Sequence, residues 1–252
     1  MMQPELVTSI HNQALELRIR DMLLNALAVS SGAVDAISFL ALGKVFSAFM
    51  TGNIAFLGLR VAGAPGPGWV SILTSMTAFA VGVYFSTLIV KPSKDCGRWS
   101  QRVTRALGLS LIAHAAFLAV WFASHGQPEI DVAHLLLGIW GIAMGMQSAT
   151  VRTLRVEGVF TTAATATIIF LVEYSTNWSA TTEERRRLAG VLVSLFVGAS
   201  AGGLLLVRAH IYAPVLPFVI TLAVVATAAF ALREHDAERS KRARPSAIRG
   251  GL

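Results

Sequence analysis

Six apolar stretches of about twenty residues, at 22–42, 69–90, 106–124, 132–151, 188–208 and 213–232, leave this chain few folds to choose from. About 20 helical residues cross the roughly 30 Å of hydrocarbon in a bilayer. Soluble core helices rarely stay apolar on every side for that length. Hydrophobic residues make up 54% of the 252 and charged residues only 14%, which excludes an ordinary soluble domain. Backbone polar groups find no water inside lipid, so such spans are helical. The expected fold class is all-α: a polytopic membrane helical bundle of about six transmembrane helices.

Two shorter segments, 45–62 and 159–178, carry Thr, Gly, Asn or Ser at their middles. They are also related to each other. Val45, Phe46, Thr51, Ile54, Phe56 and Leu57 recur as Val159, Phe160, Thr165, Ile168, Phe170 and Leu171, each 114 positions later. A duplicated set of spans with polar spots at matching places is a common transporter plan. It divides the chain into a first membrane repeat, 22–124, and a second, 132–232. Segment 1–21 is loosely amphipathic, with no apolar core or cleavage-like site, so the first span is expected to act as an uncleaved targeting signal. The basic tail 233–252 is expected to be disordered and cytoplasmic.

Charge placement chooses a topology. If all eight segments crossed, only twelve of the 21 Lys and Arg would gather on the inner side. If the two short segments dip in and return, eighteen do so, and only Lys44, Arg60 and Arg208 stay outside. The second arrangement fits the positive-inside rule, with both termini cytoplasmic. Each half then has three crossings, so the repeats are inverted and the short segments re-entrant. Irregular backbone at that depth must be buried in protein or line a wet cavity. The net charge of +7 is spread over loops and tail without an aromatic-lined groove, which speaks for lipid headgroups and against nucleic acid.

Asp35 lies within the first span, where a charged carboxylate is costly and belongs on a bundle or cavity face. It is a candidate proton or cation site, or else a structural carboxyl bonded to a neighbouring helix. Thr51, Gly52 and Asn53 in the first short segment, and Thr165 and Thr167 in the second, are candidate site-lining residues; packing through small residues is the alternative. Gln147 holds nearly the place of Asp35 in the second repeat, so an inverted pair would set an acid against a neutral amide. Glu173 and Asn177 read as interfacial, and His114 and His134 as hydrogen-bonded structural groups. Gly198-Ala199-Ser200-Ala201-Gly202 matches G-x-S-x-G, but lies in a helical apolar run where an elbow needs a strand before it. A Ser200 hydrolase with His134 or His210 as base is the remaining enzyme reading. Cys96, the single cysteine, reads as a bystander thiol. No metal, nucleotide or dinucleotide motif occurs, so neither an enzyme nor a cofactor is expected.

Gly32-x-x-Asp35-Ala36-x-x-Phe39, Val45-Phe46 and Met50-Thr51-Gly52-Asn53 resemble the opening signature of the YoaK-like bacterial membrane proteins, a family built on a domain of unknown function. Gly145-Met146-Gln147-Ser148-Ala149 with Val151-Arg152, then Thr161-Thr162 and Thr165, are similar in the second half. The resemblance spans roughly residues 25–232 and implies a bacterial inner-membrane protein of about six spans. It implies no substrate. The family usually has Gly where this chain has Ala166, which leaves the first triplet as the stronger candidate for a distorted segment. The leading expectation is a small-solute, ion or proton transporter or channel, and the alternative a non-transporting scaffold or assembly partner. The glycine faces Gly141–Gly145 and Gly198–Gly202 could pack within one chain or in a homo-oligomer.

Overall fold

The computed structural model describes residues 4–90, 99–156, 159, 161–162, 164–176 and 181–242. These form eight α-helices: α1 (Pro4–Ala41), α2 (Met50–Val61), α3 (Trp69–Ile89), α4 (Gln101–Ala123), α5 (Ile130–Thr153), α6 (Ala164–Thr176), α7 (Thr182–Arg208) and α8 (Val215–Arg242). A 3₁₀ turn, His210–Tyr212, joins the last two. Six helices are long and apolar enough to cross a membrane. The 12 residues of α2 and 13 of α6 reach only about 18–20 Å and are too short to cross.

Helix starts follow local chemistry. Ser100 caps α4 by accepting from the Val103 N–H, and Thr181 with Glu184 forms a complete capping box on α7. That box starts α7 six residues before the apolar run at 188. Two extensions depart from the sequence reading. α1 is continuous from Pro4, so residues 4–21 are part of the first spanning helix and not a separate element. α8 runs to Arg242, where disorder was expected from residue 233; Arg and Glu, both good helix formers, make up five of residues 233–242 and carry the last span onward.

The packing is symmetric under exchange of the repeats. α1 packs on α7 as α5 packs on α3, α8 on α1 as α4 on α5, and α2 on α3 as α6 on α7. Glycines make both main seams. A Cβ on Gly82 would strike the Ile142 carbonyl, and one on Gly145 the Phe79 carbonyl. In the other seam Gly198 meets the Val29 carbonyl and Gly32 the Leu195 carbonyl. Gly82 and Phe79 map onto Gly198 and Leu195 with one shift of 116, and Val29 and Gly32 onto Ile142 and Gly145 with one of 113. Small residues let the backbones touch, which is how helices associate where lipid removes the hydrophobic drive. Both glycine faces are thus used within one chain.

The two ends of the bundle are distinct. Asp21 pairs with Arg20 at 2.7 Å and with Arg187 at 3.8 Å, holding the starts of the α1 span and α7 at one end. At the other, His210 Nε2 lies 2.6 Å from the Gly126 carbonyl, and Trp121 Nε1 donates to the Ile211 carbonyl at 3.0 Å. With six crossings and two short segments that return, α1 and α5 traverse in opposite senses.

Candidate functional site

The chain leaves α1 through Leu42, Gly43 and Lys44. Gly43 and Lys44 have φ of 110° and 63°, which turns the backbone back toward the bundle. Leu42, Val45, Ser47 and Ala48 are buried, so this stretch is irregular backbone enclosed by protein, as lipid requires. The break lies here rather than at Thr51-Gly52-Asn53, which opens α2 as regular helix. Arg155, just past α5, also has a positive φ, of 49°. Ala166 lies inside the regular helix α6 and needs no positive φ.

Four side chains hold the returning loop. Asp35 Oδ1 accepts from the backbone N–H groups of Ser47 at 2.8 Å and Ala48 at 2.7 Å. These donors lie just ahead of α2, where a carboxylate also meets the positive end of the helix dipole. Asn53, fully buried, accepts from the Phe46 N–H at 2.9 Å and donates to the Phe46 carbonyl at 2.7 Å. Ser75 of α3 donates to the same carbonyl at 2.5 Å, and Ser38 meets Ser47 at 2.8 Å. The Phe46 ring stacks with Phe39 and Phe56 at 5.1 and 6.0 Å and meets Phe49 edge-on at 5.3 Å. Lys44 Nζ lies 5.8 Å over the Phe39 ring.

The second repeat builds the corresponding place without a carboxylate. Gln147 Nε2 donates to the Leu27 carbonyl at 3.2 Å and toward Thr161 Oγ1 at 3.5 Å, while Ser148 Oγ lies 3.0 Å from Thr162 Oγ1. Thr161 and Thr167 are buried, as are Ser47 and Asn53, their counterparts 114 positions earlier.

Asp35 and Asn53 serve one anchor and Gln147 a related second one, not one shared site; Thr167 is buried at the place that matches Asn53. Gln147 contacts α1 at Leu27, eight residues or about 12 Å along the helix from Asp35. Inversion places equivalent positions at opposite depths, so the expected pairing of acid and amide does not form. Thr51 and Thr165 are both exposed, and Gly52 sits against the Phe46 and Phe49 rings. Glu173 is exposed; Asn177 and Cys96 lie outside the described residues. Ser200 is exposed on α7, whose Gly198 and Gly202 pack on α1, while His134 bonds Ser71 at 3.1 Å and His210 bonds Gly126. Among the described residues no three His, Cys, Asp or Glu side chains gather as metal ligands. The Phe cluster went unread in the sequence, although Phe39, Phe46, Phe49 and Phe56 around a polar segment were a visible signal.

These features define a multi-pass membrane protein of two inverted repeats, each with a short helix tied back by buried polar side chains. Residues 23–227 match the family described as "Protein of unknown function (DUF1275)", and the chain belongs to that family. It is similar to the UPF0700 transmembrane protein YoaK of Bacillus subtilis (strain 168), with 34% identity over 154 residues. That alignment covers 61% of this chain and 66% of YoaK, just under two thirds of its length. No solved structure matches.

Proposed function

We propose that the protein is a secondary transporter or channel for protons, an ion or a small solute, and that Asp35 is its switchable group. The observation that carries this reading is the bond from Asp35 to the Ser47 and Ala48 N–H groups. One ionisable side chain inside the span holds an irregular, returning segment. Protonation would remove the charge that secures the loop and free α2 to shift against α3. The inverted repeat supplies the usual alternating-access plan, with one half rocking against the other. The surrounding bilayer would be a bacterial inner membrane with both termini on the cytoplasmic side, where the Lys and Arg residues concentrate.

The test is proton flux in proteoliposomes loaded with pyranine, under a potassium diffusion potential set by valinomycin. Wild-type protein should acidify or alkalinise the lumen faster than empty liposomes, and Asp35→Asn, inserted to the same level, should not. Equal flux in the variant overturns the role of Asp35, and equal flux in empty liposomes overturns proton movement altogether. A scaffold without transport is the second reading, favoured by the same bonds: a carboxylate satisfied by backbone donors also serves as a purely structural anchor.

A further inference from the structure

Among the described residues Asn25 Oδ1 and Ser31 Oγ of α1 are buried without partners, and so is every polar atom of one pair of rings on α4 and α5. His114 of α4 is 1% exposed, and neither of its ring nitrogens has a partner. Trp140 of α5 is fully buried, and its Nε1 also has none. The two rings meet edge to face with centroids 6.3 Å apart. Buried N–H groups and ring nitrogens are almost always paired, because leaving them bare forfeits their hydration without return. Three such atoms lie together on two neighbouring rings, in a chain that links its helices elsewhere through Ser86–Thr150, Ser30–Thr221 and Ser110–Ala143.

The chemistry of the pair defines what would satisfy it. The indole N–H only donates, whereas a neutral imidazole donates from one nitrogen and accepts at the other. The complement is a small uncharged molecule that both accepts and donates, and water is the one at hand in every membrane. His114 and Trp140 sit near half-height in their helices of 23 and 24 residues, so the pair lies close to the membrane midplane. Phe117 stacks on Trp140 at 3.5 Å and fixes the indole plane. Val34 and Ile37, which bracket Asp35 on α1, belong to the same apolar cluster as Phe117 and Trp140.

We propose that His114 and Trp140 form a midplane hydration site in which water bridges the Trp140 indole N–H and a His114 ring nitrogen. The site does not depend on the transport reading; if transport holds, it adds a wet point inside the same bundle. Internal waters of this kind bind two to four otherwise unsatisfied polar groups.

The test uses the full chain in lipid nanodiscs, with ¹⁵N in the Trp indole and His ring positions, read by water-edited ¹H–¹⁵N solid-state spectra. The Trp140 and His114 signals, assigned by Trp140→Phe and His114→Phe, should receive magnetisation from water and exchange in D₂O. In His114→Phe, the remaining Trp140 signal should lose at least half of its water transfer while circular dichroism shows the helices retained. Wild-type signals shielded from water and from D₂O would overturn the proposal, as would a folded His114→Phe with undiminished transfer at Trp140. Should His114→Phe fail to fold, His114→Gln, which keeps a donor and an acceptor, is expected to retain the transfer; its loss there would count against a bridging water.

Discussion

Asp35 and Asn53 do the same job by different chemistry, and the difference can be measured. Asp35 offers one oxygen to two backbone donors, so Asp35→Asn keeps an acceptor where Asp35→Leu keeps none. Each buried donor left without a partner costs about 1–3 kcal/mol. Asp35→Leu should therefore lower the melting temperature in detergent far more than Asp35→Asn; equal losses would mean the loop is held elsewhere. Asn53 both gives and takes at Phe46, so Asn53→Asp keeps the bond from the Phe46 N–H and sets a carboxylate oxygen against the Phe46 carbonyl. The glycines make a second residue-scale contrast. Gly145→Leu and Gly198→Leu would push side chains into the carbonyls of Phe79 and Val29, and overpacking of this kind costs about 1–3 kcal/mol. Gly108→Ala meets nothing within 4 Å in the middle of α4, and should gain about 0.5–1 kcal/mol of helix stability. Thermal unfolding of the three variants decides: a stable Gly145→Leu would show that the seam is looser than its geometry.

Among the elements, α2 carries the most consequential expectation. With Lys44 and Gly66 both exposed and flanking a helix too short to cross, Lys44→Cys and Gly66→Cys in a Cys96→Ser background should label from the same side with a membrane-impermeant thiol reagent. Labelling from opposite sides would make the segment a span and the repeats parallel. The segment was visible in the sequence because polar residues interrupt an apolar run, and the six spans because lipid leaves little freedom in length and composition. The position of the turn was not visible. Lys44 and Arg155 adopt positive φ although neither residue type favours it, so tertiary closure and not local preference sets that geometry. The six extra residues of α7 were legible all along in Thr181 and Glu184, a capping box that hydropathy alone passes over. The roles of Asp35 and Gln147 were half legible: their equivalence follows from the repeat, but their separation in depth follows only from inversion.

At the scale of the whole molecule, neither repeat can close its own interface. The first helix of each packs on the third helix of the other, α1 on α7 and α5 on α3, with backbone carbonyls seated against glycines that have no substitute partner within their own half. Cutting the chain in the loop between Ser124 and Glu129 separates the repeats without touching a helix. Residues 1–126 alone expose the faces of Gly32 and Gly82, and residues 127–252 alone expose those of Gly145 and Gly198. Helix association in lipid rests on such close packing and not on a general hydrophobic drive, so each half should be degraded or aggregate when expressed by itself. Expressed together, with a tag on one half only, they should co-purify as a one-to-one complex. Gly145→Leu in the second half should abolish that co-purification, because it blocks the α3 seam directly. A first half that is stable and monodisperse alone would contradict the exchanged packing, and would mean that each repeat closes on itself before the two meet.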